Sequence, residues 1–209
     1  NITGQSFGGL MASGLLNVVG EHMNGLQIAG IANITASKLN GVQVALCNYA
    51  TKARGLQIGL VNYYKEDMKG FQLGLVNANP DTKVQMMVYG GNATPANIGV
   101  RFKNQLFYTI LGVGSMYQGL NDKFSASASY RAGLSFPLYK GLSISGDLGY
   151  QHIEAFDNKD EVIPKRLYAL QARANLEYQF TKKFGIFATG GYGVTRFYNK
   201  SSNYDKGAI

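Results

Sequence analysis

The first third of the chain repeats a short alternation of apolar and polar positions. In the copy that begins at Gly55, Leu56, Ile58 and Leu60 alternate with small or polar residues. Side chains of a β-strand point to opposite faces with a period of two, so this pattern predicts a strand over residues 55–64. Five such copies are present, and they begin at Gly9, Gly25, Gly41, Gly55 and Gly70. Their spacings of 16, 16, 14 and 15 residues are too short for a helical-hairpin repeat.

The repeats fit two architectures. In an antiparallel barrel, each copy of 14–16 residues would be one strand and one turn. In a parallel β-solenoid, each copy would be one coil, and identical polar residues would stack into ladders. The residues that would stack are Gln27, Gln43, Gln57 and Gln72, together with Asn33, Asn48, Asn62 and Asn77. These in-phase residues favour the solenoid, but the repeat alone leaves both architectures open.

Longer alternating segments follow the repeats, at 124–138, 142–155 and 166–180. Globular strands usually have about 5–6 residues, whereas a strand that crosses a bilayer takes about 9–11 residues plus its ends. Aromatic residues stand near the ends of the apolar faces, as in the girdles of membrane barrels. Short connections at 139–141 and 181–183 alternate with longer charged ones around 121–123 and at 157–164, which is typical of outer-membrane barrels.

We therefore predict an all-β fold, a single antiparallel transmembrane β-barrel over residues 1–209. The repeat strands would cover residues 9–78, and long-strand hairpins would cover residues 97–198. The alternation predicts twelve strands, and one further strand at each end would bring an intact barrel to about fourteen. The alternative is a β-solenoid over residues 9–78 followed by a β-barrel or sandwich.

The alternation also assigns side chains to the two faces of the predicted sheet. A polar face directed towards the barrel lumen would carry Ser127, Ser129, Arg131, Ser145, Asp147, Gln171, Arg173, Asn175 and Glu177. A lipid-facing surface would carry Leu56, Ile58, Leu60, Phe124, Phe136, Leu148, Leu170 and Leu176. Because buried charges require partners or water, the polar face would be either a plugged interior or a wet pore.

Composition adds limits to this prediction. The chain has 27 Gly, 25 Tyr and Phe together and 15% charged residues, a mixture that argues against disorder. Its net charge of +8 comes from scattered Lys and Arg, so nucleic acid is not expected as a partner. The single cysteine, Cys47, excludes an internal disulfide. No apolar run of about 18 residues exists, so a transmembrane helix is not expected.

The tandem G-[VLF]-Q-[ILV]-[AG]-x-V-N copies, the segment FYTILGVGSMY and the hairpin LEYQFTKKFGIFATGGYGV resemble a family of surface-repeat outer-membrane proteins. Such proteins occur in Bacteroidota-like bacteria, and the resemblance covers roughly residues 9–198. The resemblance implies a β-barrel in the bacterial outer membrane with a surface-exposed role. It implies no catalytic residues.

Catalytic and cofactor motifs find little support in the sequence. His22 and His152 are isolated, without a partner at metal-ligand spacing, so no metal site is expected. Gly112 to Gly119 breaks the G-x-G-x-x-G spacing, so no nucleotide loop is expected either. Asp147 and Glu177 each have an arginine on the same face, which favours structural ion pairs over a catalytic carboxylate pair. We expect no enzyme activity and no cofactor.

The functional prediction is an integral outer-membrane protein, a scaffold subunit of a membrane complex or a narrow porin-like pore. The alternative is a surface-exposed solenoid adhesin or binding protein. The expected partners are the lipid bilayer, other outer-membrane proteins and lipopolysaccharide, whose phosphates basic side chains would contact. Those basic side chains are Lys123, Lys159, Lys165 and Arg166.

Overall fold

The computed structural model describes residues 1–91, 94–115, 124–156, 166–198 and 206–208. These residues form sixteen β-strands in two eight-stranded sheets. The chain divides into two compact units, Asn1–Lys83 and Val84–Ile209, called here the N-terminal and C-terminal units. Within the described residues, no helix has the length and apolarity needed to cross a membrane.

The N-terminal unit is a parallel β-solenoid of about five turns. Each repeat pairs in register with the next, so that Gly41 lies beside Gly55, Gln43 beside Gln57 and Asn48 beside Asn62. The strands are β1 (Ile2–Thr3), β2 (Phe7–Ser13), β3 (Leu16–Val19), β4 (His22–Ala29), β5 (Ala32–Val44), β6 (Cys47–Ile58), β7 (Val61–Leu73) and β8 (Val76–Ala78).

The prediction of an antiparallel transmembrane barrel is therefore wrong, and the alternative solenoid over residues 9–78 fits the structure. The predicted strand 55–64 is broken at Gly59 and Leu60, where the chain turns a corner between β6 and β7. One repeat thus forms one coil with strand segments on two sides. Only a parallel, in-register stack sets the same residue of every repeat against its copies, which allows the side-chain amides to bond to one another.

Two ladders of amide side chains run through the interior of the solenoid. Asn48 Nδ2 donates to Asn62 Oδ1 at 2.9 Å, and this bond recurs along the asparagine column. Gln57 Nε2 donates to Gln43 Oε1 at 2.8 Å, with the same bond in the turns before and after. The asparagines donate towards the later turn and the glutamines towards the earlier one. A small apolar core beside the ladders consists of Met11, Val19, Met23, Leu39, Ala50 and Ala53.

One glycine column closes the coils tightly. Gly41 has φ +141°, and a Cβ added there would lie 1.9 Å from the carbonyl oxygen of Gly25. Positive φ is strained for residues with a Cβ, and the overlap with a neighbouring backbone leaves no room for one. From Gly25 onwards, the first residue of each repeat is therefore glycine because of both the backbone conformation and the close approach of the preceding coil, whereas at Gly9 only the positive φ applies.

The C-terminal unit is an antiparallel sheet in which the strands pair in sequence order. They are β9 (Lys83–Tyr89), β10 (Ala96–Asn104), β11 (Phe107–Ser115), β12 (Ser125–Tyr139), β13 (Leu142–Ala155), β14 (Arg166–Gln179), β15 (Gly185–Tyr198) and β16 (Lys206–Ala208). The sheet curls enough for Arg101 of β10 to reach Glu177 of β14. The tight turn predicted at 139–141 joins β12 to β13, with positive φ at Lys140 and Gly141. The longer connections predicted at 121–123 and 157–164 lie outside the described residues.

The asparagine ladder generates a test of the solenoid. Asn48→Ala removes a buried amide that donates to Asn62 and to the Ile58 carbonyl and accepts from Asn33. Buried groups left without partners cost about 1–3 kcal/mol each, so we expect a loss of roughly 3 kcal/mol in the free energy of unfolding, measured by urea denaturation.

The matched control is Asn40→Ala, which removes an exposed amide that donates to Asn24 at 2.7 Å. We expect this variant to change the unfolding free energy by less than about 1 kcal/mol, since water replaces the lost bond. Equal stabilities for the two variants would contradict a parallel stack held by its interior amides.

Candidate functional site

A charged cluster lies in the interior of the C-terminal unit. Arg131 of β12 is paired with Asp147 of β13: its Nε donates to Oδ1 at 3.1 Å and its Nη2 to Oδ2 at 3.2 Å. The same carboxylate accepts from the Tyr108 hydroxyl and from the Asn175 amide, each at 2.9 Å. This carboxylate, although buried, therefore has charged and neutral donors on several sides.

The pKa values of this cluster follow from its hydrogen bonds. Burial alone would raise the pKa of Asp147, but the hydrogen bonds and positive charge of Arg131 outweigh it and hold the pKa below its ordinary value. Burial likewise opposes the charge on Arg131, and its bonds to Asp147 outweigh that effect and raise its pKa. Burial raises the pKa of the Tyr108 hydroxyl, so this group remains a neutral donor at physiological pH.

A second ion pair joins β10 to β14. Arg101 Nη1 donates to Glu177 Oε1 at 2.7 Å, and the same oxygen accepts from the Ser145 hydroxyl at 2.8 Å. Burial opposes the negative charge of Glu177, but the hydrogen bond from Arg101 outweighs it and lowers the pKa of this carboxyl. The pair is thus internally neutral, and its members are positioned by each other.

The predicted polar residues lie in this part of the structure. Ser127, Arg131, Ser145, Asp147 and Asn175 are buried, and Ser129, Gln171, Arg173 and Glu177 are partly buried. The structure connects several of them by hydrogen bonds, namely Arg131 to Asp147, Asn175 to Asp147 and Ser145, and Arg173 to Gln171. These residues form a polar interior within the C-terminal unit. They do not line the lumen of a transmembrane barrel, because that predicted fold is wrong.

The sequence reasoning missed Tyr89, Tyr108 and Arg101, which also contribute to this interior. A signal for their neighbourhood exists in the glycines of the same face. A Cβ on Gly149 would lie 2.8 Å from Arg131 Cγ, and one on Gly191 would lie 3.0 Å from Arg173 Cγ. A glycine in one strand therefore indicates that a long polar side chain of the neighbouring strand lies against its backbone, where a Cβ would not fit.

A cleft of about 340 Å³ opens beside the cluster. Its walls come entirely from the C-terminal unit and combine charged, amide, hydroxyl and aromatic groups. Its lining includes Tyr89, Arg131, Gln151, Arg173, Phe187 and Thr189.

The residues predicted to face lipid lie at the surface in both units. Leu56 is partly buried, whereas the others are exposed, namely Ile58, Leu60, Phe124, Phe136, Leu148, Leu170 and Leu176. Leu148 is the most exposed of them, at 71%. The two units thus share an inverted polarity, with hydrogen-bonded polar groups inside and large apolar side chains outside.

In the solenoid, the exposed apolar side chains form a continuous edge. One aliphatic residue of each coil lies at the turn between its two sides, and these residues form a column. We call this column the apolar corner; it consists of Leu15, Ile31, Leu46, Leu60 and Leu75. Backbone hydrogen bonds from one turn to the next, such as Leu60 N to Leu46 O at 2.8 Å, hold these residues in register. Each of the five side chains is at least 38% exposed.

The opposite edge of the coils is polar. We call it the polar corner, and it comprises residues 20–22, 36–38, 51–52 and 65–67. Lys52 and Glu66 form an exposed ion pair there, with 3.2 Å between Nζ and Oε2. In an earlier turn Ser6 donates to Glu21 at 3.0 Å. The solenoid therefore has charged side chains along one edge and aliphatic side chains along the other.

The remaining residues considered in the sequence lie apart from these surfaces or outside the description. His152 contacts Glu154 at 3.5 Å, and its ring lies tilted against the ring of Tyr168. Cys47 is exposed and lies beside Val61 of the next turn. Arg166 is exposed and pairs with Glu154 at 3.3 Å, whereas Lys123, Lys159 and Lys165 lie outside the described residues.

Comparison with known proteins yields no relative. No protein-family model, no curated protein and no solved structure matches this chain. The resemblance of the repeats to surface-repeat outer-membrane proteins therefore stays a prediction.

The Arg131–Asp147 pair generates a pH prediction. Folding lowers the pKa of Asp147, so its ionised carboxylate stabilises the folded C-terminal unit fully at pH values above the ordinary pKa of 3.8. This stabilisation is lost as the pH falls below that value and the carboxylate takes up a proton. Asp147→Asn leaves Arg131 buried without a charged partner, so we expect the unfolding free energy at pH 7 to fall by about 3 kcal/mol or more. The variant should also lack this acid-dependent loss when denaturation midpoints are measured from pH 7 to pH 2.

Glu154→Gln is the control, because it removes a carboxylate that also has a lowered pKa but lies at the surface beside Arg166. Solvent screens this pair, so its loss should hardly change the midpoint at pH 7. If Asp147→Asn and the unmodified chain have the same denaturation midpoint at pH 7, the buried Arg131–Asp147 pair does not stabilise the C-terminal unit.

Proposed function

We propose a binding function, because the parallel solenoid overturns the functional prediction that depended on the barrel. An integral outer-membrane barrel, acting as a scaffold subunit or as a narrow porin-like pore, requires the repeats to be antiparallel transmembrane strands. They are instead coils that pair in parallel with the next repeat. The alternative function, a surface-exposed solenoid binding protein, agrees with this fold.

We propose that this chain is a surface-exposed β-solenoid binding protein whose apolar corner binds the hydrocarbon of a lipid layer. The observation that carries the proposal is the column Leu15, Ile31, Leu46, Leu60 and Leu75, exposed in successive turns. Soluble monomers rarely expose contiguous apolar surfaces of more than a few hundred Å², and larger ones mark binding sites.

The apolar surface extends from the corner onto both sides of the coils. Ile28, Ile58 and Leu73 are exposed on one side, and Val61 is exposed on the other. Neighbouring turns of a sheet are about 4.8 Å apart, so five turns produce an edge roughly 20 Å long. Binding this edge to an apolar phase removes its area from water at a gain of about 25 cal/mol per Å².

The regularity of the column favours lipid over a protein partner. Protein interfaces concentrate their energy in aromatic or arginine anchors that fill shaped pockets. The apolar corner consists only of leucine and isoleucine, one in each turn of 14–16 residues, which a fluid hydrocarbon phase accommodates without shape matching. The solenoid interior is compatible with this phase, because its strands and amide ladders satisfy their polar groups internally.

The polarity of the coils also defines an orientation. Inserting the apolar corner leaves the polar corner, with Lys52 and Glu66, at the opposite edge and in water. The resemblance of the repeats supports the outer membrane of a bacterium as the proposed location. At such a surface the exposed Arg166 would give up its ion pair with Glu154 and bind a phosphate of lipopolysaccharide instead. The absence of enzyme activity, cofactors and nucleic-acid partners stays a prediction.

Vesicle flotation tests the proposal. The full-length chain should float with uncharged phosphatidylcholine vesicles in a density gradient. The double variant Leu46→Glu and Leu60→Glu should lower the partition coefficient at least tenfold. Complete burial of one leucine contributes about 1.5–3 kcal/mol, and each 1.4 kcal/mol is a factor of about ten.

The matched control is Lys65→Glu at the polar corner, which changes the net charge by the same amount as the double variant. We expect Lys65→Glu to float like the unmodified chain, and circular dichroism would verify that all three proteins retain their strands. An unmodified chain that stays at the bottom of the gradient would refute lipid binding and favour a protein partner. Unchanged flotation of the double variant would remove the apolar corner from the binding surface.

A further inference from the structure

The cleft in the C-terminal unit has no role in the proposed binding to lipid. It has a volume of about 340 Å³, within the range of small-molecule sites in proteins. Its lining residues all belong to the C-terminal unit, so it is a separate site from the apolar corner of the solenoid. The groups that converge on it indicate the chemistry of a ligand.

The cleft wall has a surplus of positive charge. Arg131 is neutralised by Asp147, and Arg101 is neutralised by Glu177. Arg173, which lies opposite Asp147 in the β13–β14 register, donates to the amide oxygen of Gln171. In the part of the chain that the structure describes, it forms no ion pair within 4.0 Å. Two arginines and one aspartate therefore leave a net charge of +1 at this wall.

The surroundings of Arg173 make this charge unfavourable without an anion. Burial, and then the positive charge of Arg131, lower the pKa of its guanidinium. Arginine stays protonated in proteins, so the burial of the Arg173 charge beside Arg131 contributes an unfavourable free energy to the folded unit. A bound anion offsets that cost, and a guanidinium binds a carboxylate with two parallel hydrogen bonds.

The rest of the lining is suited to a hydroxylated ring. Gln151 Oε1 and Thr189 Oγ1 are the acceptors that these residues contribute to the cleft, because the Gln151 amide donates to Thr94 and Ser127 and the Thr189 hydroxyl donates to Asn175. The rings of Tyr89 and Phe187 meet edge to face with centroids 6.3 Å apart. Amide and hydroxyl groups exchange hydrogen bonds with ligand hydroxyls, and aromatic rings cover the apolar faces of a small ring. The glycines of β15, Gly191 and Gly193, make room for the Arg173 and Gln171 side chains, whose Cγ atoms would lie 3.0 and 2.8 Å from an added Cβ.

We propose that this cleft binds a small hydroxylated monocarboxylate of the size of an acidic monosaccharide, with the Arg173 guanidinium pairing with its carboxylate. The charge of +1 matches a single carboxylate. A phosphate has a charge of about −1.5 to −2 at neutral pH, which exceeds the charge of the cleft and would leave part of it unpaired. Neutral sugars would leave the charge of Arg173 uncompensated.

Isothermal titration calorimetry of the full-length chain with glucuronate tests this proposal, with glucose and inorganic phosphate as comparison probes. We expect glucuronate to bind, and glucose and phosphate to bind at least tenfold more weakly. Arg173→Gln should weaken glucuronate binding roughly tenfold or more, as for the loss of a charged hydrogen-bonding partner. Arg173→Lys keeps the charge but lacks the planar fork, so its affinity should lie between those of the other two proteins.

Arg196→Gln is the matched control, because it removes the same charge at an exposed position of the neighbouring strand β15, outside the cleft. It should bind glucuronate like the unmodified chain. The proposal is overturned if glucuronate gives no heat of binding at millimolar concentration, if glucose or phosphate binds as tightly, or if Arg173→Gln binds unchanged. Should Arg173→Gln fail to fold, unchanged binding by Arg173→Lys would overturn the role of the guanidinium fork.

Discussion

The hydrogen bonding of buried side-chain amides is the constraint on which the solenoid depends. A glutamine or asparagine in the interior is tolerated only when its donors and acceptors are paired. Asn48 and Gln57, both almost fully buried, satisfy this condition by bonding to the equivalent residue of the neighbouring turn. That arrangement requires parallel pairing in exact register, and the register in turn places every outward aliphatic side chain in a column. The apolar corner is thus a consequence of the amide ladders inside.

The same requirement governs the C-terminal unit, although charges replace amides there. Asp147 is buried because Arg131, Tyr108 and Asn175 all donate to it. The long side chains that make these bonds need space, which glycine supplies on the neighbouring strand. Arg173 of the described cleft wall has a hydrogen-bond partner, Gln171, but no carboxylate within 4.0 Å, and this uncompensated charge distinguishes a ligand cleft from a packed polar core. Departures of this kind are expected at functional sites, where local stability is sacrificed for binding.

Much of the local structure could be predicted from the sequence, because period-two alternation determines which side chains share a face. The predicted segment 142–155 coincides with the strand Leu142–Ala155. The pairing direction of the repeats could not be derived in the same way, since parallel and antiparallel strands alternate identically. The relevant signal was present in the equal positions of Gln43 and Gln57. The length and terminal aromatic residues of the C-terminal strands indicate a membrane barrel instead, but those strands belong to a separate sheet and carry no information about the repeats. The contacts of Tyr108 and Tyr89 depend on the curl of that sheet, which no local pattern encodes.

The inverted polarity of the molecule connects its two proposed binding sites. Because the large apolar side chains lie mostly at the surface, exposed residues such as Leu15 and Leu148 retain most of their hydrophobic free energy for an external partner. The interior, conversely, is held by directional hydrogen bonds whose strength increases away from water. An anion that pairs with Arg173 would gain from the same low-dielectric surroundings that make the unpaired charge unfavourable. The outer surface is therefore suited to an apolar phase without shape selectivity, whereas the cleft is suited to one small ligand selected by charge and hydrogen bonding.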